Sequence, residues 1–415
     1  MKDRKSLFFA GVDWGRNSHQ VCVLDPDGSL IGEKSFKHSG TGLFEMARWI
    51  QKISDSEACD ISIAIEVNHG PVVESLLEQG FSVYSINPKQ LDRFRDRFCV
   101  SGAKDDRRDA MVLASALGTD RPHFRRLEPQ NSDIIILREL NRTREELIGE
   151  RTRLVNRFRG LLWRYYPQFG ELLGKKVSPW HLELWELVPS PDSSKRKRVS
   201  TVQNLLRRNR VKRIDAKGVL GILRTEKVNT SNATTQSCIC HVRSIIQRLK
   251  VVDQQLAQTR ESVNTVIEAM NERLRTEGEG PTDIEILRSI PGVGDVVLAT
   301  LLAEAWDPIR RRDLKALRCL GGVAPVTKQS GKTKQVLRRK AVCKSLSYAL
   351  HILGGIAIIH DQASKARYGE LRAKGHGYCR SVRAVCDRLL SVACAILEKG
   401  ELFDKQFKGP LWDAA

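Results

Sequence analysis

The run Ala103-Lys104-Asp105-Asp106-Arg107-Arg108-Asp109-Ala110 sets three carboxylates among three cations, immediately before the apolar stretch Met111-Val112-Leu113-Ala114. A helix through this region places Asp106 and Asp109 one turn apart on one face, and Asp105 shares a face with Asp109 too. Acids in a first helical turn suit the helix dipole, and that alone would account for them. A bound divalent cation would account for them as well. What the preceding residues build decides between the two.

Upstream, Phe8 to Val12 is a continuous apolar strand ending in Asp13-Trp14-Gly15. Gln20 to Leu24 reads as a second strand, Asp25-Pro26-Asp27-Gly28 as a turn of the kind that joins hairpin strands, and Ser29 to Phe36 as a third strand. Helical spacing follows over Thr41 to Ile53 through Leu43, Met46, Ala47 and Ile50. Ile61 to Glu66 is a buried strand with an acid at its end. Asn68-His69-Gly70-Pro71 opens a helix with Pro71 near its first turn. Phe81 to Ile86 is a fifth strand, and helices start from Pro88 and Asp106. Three meander strands, then helix, strand, helix, strand, helix is the order of the ribonuclease-H-like α/β fold.

In that fold Asp13, Glu66, Asp106 and Asp109 converge at one edge of the sheet. Each acid has a bland reading by itself: a strand end, a solvated helix turn. Together they would repel unless metal ions neutralise them. Two Mg2+ ions about 4 Å apart would activate an attacking oxygen and stabilise a leaving one in phosphodiester chemistry. Mg2+ takes hard oxygen ligands, and Mn2+ is its expected substitute. Lys104 and Arg107 either neutralise these acids or touch phosphate.

The chain has 415 residues and a formal net charge of +20. That length leaves room for two or three domains, and a 41% hydrophobic fraction excludes global disorder. The positive excess implies a polyanionic partner, nucleic acid before an anionic membrane. No run of eighteen apolar residues is present, so no membrane span is expected. Met1 to Ala10 superficially resembles a secretory leader, but its apolar part is short and Asp13 interrupts it. The ten cysteines, Cys22, Cys319 and Cys394 among them, sit mostly in apolar segments, which fits reduced thiols in a cytosolic protein. Cys238, Cys240 and His241 cluster without a second ligand pair at zinc-like spacing.

From Ser132 the pattern changes. Ile134, Leu137, Leu140, Leu147, Leu154, Phe158, Leu161 and Leu162 recur at three, four and seven, with arginines between. A second such stretch runs from Val242 through Leu249 and Leu256 to Val266. Two long helices around an insert predict a coiled-coil arm, antiparallel or dimerising; core helices of one larger domain are the alternative. The insert, about 170–232, carries the basic run Lys195-Arg196-Lys197-Arg198, which reads equally as a nucleic-acid contact or a solvated loop.

Toward the C-terminus, Ile290-Pro291-Gly292-Val293-Gly294 before a helix is like the helix-hairpin-helix element, whose backbone N–H groups face a phosphate and whose glycines, here Gly292 and Gly294, allow close approach. A plain interhelical turn is the alternative. Leu320 to Lys334 is a glycine-rich basic loop containing Lys328, Ser330, Lys332 and Lys334, followed by Arg338, Arg339, Lys340 and Lys344. A serine hydroxyl needs a base or metal to attack phosphorus, so by residues alone Ser330 reads as a phosphate-contacting serine.

Asp13, Glu66 and the Lys104, Asp106, Asp109, Ala110 pattern, with the run Gly322 to Lys332, resemble the DEDD transposases of the insertion-sequence-110 family. The resemblance covers about residues 7–165 and 285–400. Asp105 stands where that family commonly has a small hydroxyl residue, and Ala341-Val342-Cys343 where it has a glycine-containing basic stretch. The resemblance implies a RuvC-like nuclease domain whose acids Asp13, Glu66, Asp106 and Asp109 bind divalent metal, and a C-terminal domain whose Ser330 attacks the DNA backbone. It implies a site composed of metal and serine, across subunits. A phosphoserine link would conserve bond energy, so strands could reseal without ATP. Some members pair donor and target DNA with a structured noncoding RNA.

The expectation is therefore a metal-dependent DNA transposase or recombinase with three parts: a RuvC-like domain at 1–130, a coiled-coil arm with a basic insert at 131–280, and a mainly α C-terminal domain at 281–415. Double-stranded DNA is the expected partner, a guide RNA a further one, and a dimer or tetramer the assembly; the expected location is the bacterial cytoplasm, at the nucleoid. The alternatives are a structure-specific nuclease using metal-activated water, a non-catalytic nucleic-acid-binding protein, and, more distantly, a coiled-coil structural protein.

Overall fold

The structure is a computed structural model describing residues 8–97, 105–128, 131–331 and 333–404. The chain forms two compact units, Met1–Asn131 and Ser132–Ala415.

The first unit is a mixed α/β sheet. Its strands are β1 (Phe8–Trp14), β2 (Ser18–Leu24), β3 (Leu30–Lys37), β4 (Ile61–Ile65), β5 (Ser82–Ser85) and β6 (Arg125–Arg126), in the order β3-β2-β1-β4-β5-β6. The first three are antiparallel, β4 and β5 run parallel to β1, and β6 closes the far edge antiparallel. The β2–β3 turn holds because the Asp25 carboxylate accepts from the N–H groups of Asp27 and Ser29, at 3.0 and 2.8 Å.

The helices are α1 (Gly40–Ser54), α2 (Pro71–Glu78), α3 (Pro88–Arg95) and α4 (Asp106–Asp120). Strand alternation divides the core between the two faces. Ala10, Val12, Ile63 and Ile65 pack with Leu43, Met46 and Ile50 of α1 and Val73 and Leu76 of α2. On the other face Ala64 packs with Leu113 and Leu117 of α4 and Leu91 of α3, and Cys22 with Ala110 and Ala114.

The second unit is mostly helical. It comprises α5 (Ser132–Tyr165), α6 (Pro167–Leu172), α7 (Pro179–Leu187), α8 (Pro191–Lys195), α9 (Val199–Arg208), α10 (Ala216–Leu223), α11 (Asn232–Glu277), α12 (Asp283–Ser289), α13 (Asp295–Arg310) and α14 (Leu314–Leu320). A hairpin of β7 (Val326–Ser330) and β8 (Thr333–Leu337) follows, then α15 (Lys344–His360), α16 (Gln362–Ala373) and α17 (Tyr378–Lys399). Helices α5 and α11 run antiparallel, as their ion pairs show: Asp133 with Arg273 at one end, Glu150 with Arg248 (3.0 Å) and Asp253 with Arg151 (2.5 Å) farther along.

This pair joins two cores. Ile134 and Leu137 of α5, with Val263, Ile267 and Met270 of α11, belong to the core that α12–α17 complete. Leu154, Phe158 and Leu162 of α5, with Val242, Ile246 and Leu249 of α11, close around α6–α10. The expected segments 131–280 and 281–415 thus lie in one unit, because both ends of the helix pair are built into helical cores. Cys238 and Cys240 sit on α11, the first buried and the second exposed, both as free thiols. Among the described residues no helix is long and apolar enough to cross a membrane.

Candidate active site

The first cluster of candidate residues is built by strand register. Val12 of β1 pairs with Ile65 of β4 in parallel, so Asp13, still in β1 opposite Gln20 of β2, and Glu66, the first residue past β4, lie side by side about 5 Å apart. Side chains two residues apart share a face of a sheet. Asp13 therefore shares the face of Gly11, and Glu66 that of Ala64, which is the face under α4. Gly11 is the point of closest approach: a Cβ there would lie 1.9 Å from the Ala110 carbonyl oxygen and 2.6 Å from the Ala114 nitrogen. Only a residue without a side chain lets α4 settle on β1 at this depth. That contact brings the first turn of α4, with Asp106 and Asp109, to the end of the sheet where β1 and β4 stop.

The four acids differ in environment. Asp13 and Glu66 are half-buried and Asp106 is exposed. Asp109 is 2% exposed, and its Oδ1 accepts from Arg95 Nε of α3 at 2.7 Å; Arg95 also reaches Asp92 at 2.7 Å. Burial pulls the Arg95 guanidinium pKa down, but the Asp109 and Asp92 carboxylates more than offset it and hold the pKa above its usual value. Asp105 is exposed and caps α4 through its backbone carbonyl, which accepts from Asp109 N–H at 3.0 Å. Arg107 pairs with Glu33 of β3 at 3.0 Å rather than with these acids. Lys104 lies outside the described residues.

The turn after Asp13 is held by a buried imidazole. Gly15 N–H donates to His19 Nδ1 at 3.4 Å, which leaves His19 Nε2–H to donate to His38 Nδ1 at 2.9 Å. Burial and the neighbouring His38 lower the His19 pKa, which keeps the ring neutral.

The donor set is right in kind for a hard divalent cation: carboxylate oxygens at one end of a sheet. Its spacing is not that of a closed cage. Among the described residues, no group of three or more His, Cys, Asp or Glu side chains is placed to hold a metal ion, and Asp109 is bonded to Arg95.

The second cluster is the β7–β8 hairpin. Ser330 ends β7 and pairs with Thr333 of β8, with Gly331 at φ +54°. Ser330, Lys328, Lys334 and Arg338 are exposed, and Lys332 lies outside the described residues. No hydrogen bond to the Ser330 side chain is present among the described residues. Arg339 is half-buried, and its Nε is buried without a partner among the described residues, so it is a donor in want of an acceptor.

The hairpin is fastened at its base. Cys343 N–H donates to the Leu320 carbonyl at 2.9 Å, and Gly322, at φ +70°, lies so close that a Cβ there would meet Val342 at 2.7 Å. Residues 341–343 thus close the loop.

The glycine turn between α12 and α13 is structural at its first glycine. Gly292, at φ +94°, packs on the α15 backbone, where a Cβ would sit 2.9 Å from the Leu353 carbonyl oxygen. Gly294 is exposed and caps α13. The first residue of α13, Asp295, already pairs with Arg260 at 2.6 Å.

Sequence reasoning did not single out Gly11 or Arg95. A glycine inside an apolar strand was a readable signal for the first. The second pairs with Asp109 only through the packing of α3 on α4.

Comparison with known proteins matches the chain in two separate stretches. A family model named DEDD_Tnp_IS110, described as a transposase, matches residues 10–167, and one described as transposase IS116/IS110/IS902 family matches residues 284–369. The chain is similar to "Putative transposase y4uE" of Sinorhizobium fredii, with 53% identity over 217 residues, covering 52% of this chain and 60% of that one. It is 28% identical to "Mini-circle putative transposase for IS117" of Streptomyces coelicolor, over 98% of both chains. It is 22% identical to "Transposase for insertion sequence element IS1111A" of Coxiella burnetii, over 97% of this chain and 92% of that one. Models of insertion-sequence transposases thus match two separate stretches of the chain, and transposases of insertion elements are similar to it along its whole length.

Proposed function

We propose that the protein is a DNA transposase that cuts and rejoins strands with Ser330 as nucleophile, assisted by a divalent cation, Mg2+ or Mn2+, at Asp13, Glu66, Asp106 and Asp109. The observation that carries the reading is the register of β1 and β4, with α4 seated on Gly11. This matches the ribonuclease-H-like arrangement in which acids from two strand ends and a late helix serve one phosphodiester.

When bound, the cation would lower the charge on the phosphate and on the attacking and leaving oxygens. The remaining chemistry belongs to the chain. Ser330 Oγ loses its proton and bonds to phosphorus as one P–O ester bond breaks, and the leaving oxygen takes up a proton. Attack by a new DNA hydroxyl reverses the step and frees the serine. Lys328, Lys334 and Arg338 supply positive charge along the hairpin, and Arg339 Nε offers a donor to a phosphate oxygen. Self-association and a structured RNA belong to the same proposal; the net charge of +20 is compatible with either nucleic acid and does not distinguish them.

One observation favours a second reading, a nuclease using metal-activated water. Ser330 has no side-chain partner among the described residues that could serve as its base. The two readings separate on purified protein with DNA spanning the element's junction. Under the proposal, Asp13→Asn and Glu66→Gln abolish cleavage in Mg2+ and Mn2+, and Ser330→Ala does the same. Cleavage that survives Ser330→Ala but not Asp13→Asn would establish the water-using nuclease instead.

A further inference from the structure

We propose that the outer face of α8–α9, in the insert between α5 and α11, is a docking surface for duplex DNA. Between Asp192 and Asp215 the chain has no acidic residue, while lysines and arginines cluster at both ends of α9. The structure turns this composition into a fixed surface. The α8–α9 corner is held from beneath: Arg224, just past α10, donates to the carbonyls of Ser194 (3.2 Å) and Lys197 (2.8 Å). Ser194 Oγ is buried between the carbonyls of Pro191 and Leu223. Val202, Leu205 and Leu206 bury the inner side of α9 in the insert core. The run Lys195–Arg198 is therefore no loose loop.

Neighbouring acids are already engaged. Asp192 binds Lys227 at 3.0 Å, Glu183 of α7 binds Arg208, and the Asp215 carboxylate caps α10 by accepting from Gly218 N–H at 2.8 Å. Arg213 lies over the Trp180 ring. Arg196, Arg198, Arg207, Arg210, Lys212 and Lys217 are exposed and have no ion pair among the described residues.

Size and chemistry select the partner. A helix of ten residues is about 15 Å long, slightly more than the roughly 12 Å width of the B-DNA major groove. Cations at its two ends can reach the backbones on either side, and the exposed polar residues Ser200, Gln203 and Asn204 lie between them. An RNA duplex, whose major groove is deep and narrow, does not admit such a helix. This core closes on α5 from Leu154 onward, whereas the core that α12–α17 complete meets α5 at Ile134 and Leu137. Along α5, Leu137 and Leu154 are seventeen residues apart, about 25 Å at 1.5 Å per residue.

The test uses the full-length protein without cleavage, so it is independent of the catalytic assignment. Affinity for a 30-base-pair DNA duplex is read by fluorescence anisotropy over a salt series. The variant Arg196→Gln/Arg198→Gln/Arg207→Gln/Arg210→Gln should bind at least ~10-fold more weakly, with a log K against log salt slope lower by about 3 to 4. The matching Arg→Lys variant should keep the slope. An unchanged slope in a glutamine variant that melts like the parent would overturn the proposal. So would a loss confined to an RNA duplex of the same length, which would make RNA the occupant.

Discussion

The carboxylate end of the first unit and the serine hairpin of the second are built in opposite ways. Asp13 near the end of β1 and Glu66 just past β4 stand on adjacent parallel strands, α4 is locked onto Gly11, and Asp109 is buried against Arg95. Every residue of β8, and all of β7 except half-buried Val326, is exposed, and the hairpin is fastened at its base by Leu320 and Cys343. One region is positioned by a packed core, the other by two strands and a staple. Under the proposed strand transfer this division is sensible: the acids would need fixed geometry, while the serine would have to meet a DNA strand. An Arg339 nitrogen buried without a partner among the described residues also suits a region completed by an anion.

The contrast can be broken most severely at Gly11. Gly11→Ala forces a Cβ into the Ala110 carbonyl, so α4 must lift from β1. Denaturant unfolding of this variant should show a loss of about 3 kcal/mol or more, with cleavage lost as Asp106 and Asp109 move. A Gly11→Ala protein with parental stability would mean that α4 does not sit as described.

The second test asks whether the whole second unit is as loosely held as its hairpin. His181 in the insert is fully buried, accepting from Ser178 N–H at 2.9 Å on Nδ1 and donating to the Leu172 carbonyl at 3.1 Å from Nε2. Burial, with a contribution from Arg213, lowers its pKa from 6.5 to about 4. The unfolded chain therefore binds the proton more readily. Stability falls as pH drops below about 6.5, and about 3 kcal/mol is lost by pH 4. Urea midpoints followed by the fluorescence of Trp180 and Trp185 should shift over this window, and His181→Gln should flatten the dependence.

The third expected effect is smaller. Arg95→Gln leaves the buried Asp109 carboxylate without its guanidinium and should cost about 2 kcal/mol, read as a lower melting temperature. A stability gain would show that the pair is a net burden. The smallest effect belongs to the hairpin: Val336→Ser, at a side chain 61% exposed, should stay within about 0.5 kcal/mol of the parent.

The first unit was legible because its strands are short, apolar and punctuated, and because acids stand at their ends. The structure moves boundaries by a residue or so: β4 stops at Ile65, which leaves Glu66 just beyond it. The two-residue β6 gave no periodic signal. Arg95 could not be assigned to Asp109 from sequence, since the pairing depends on how α3 lies on α4. The two long helices were readable from spacing, but not the way they are shared between two cores. The insert was opaque for the same reason. Ser178-Pro179 and Ser190-Pro191 are sound helix starts, yet its short helices pack mainly on one another, α10 on α9 and α6 and α7 on α9, around a core that α5 and α11 close.

The central claim is tested most directly by mass spectrometry of the protein trapped with junction DNA in Mg2+ and then digested with protease and nuclease. The expected product is a nucleotide phosphodiester on Ser330, within the peptide between Gln329 and Lys332, absent from the Asp13→Asn protein. Cleaved DNA with Ser330 unmodified throughout the time course would contradict it.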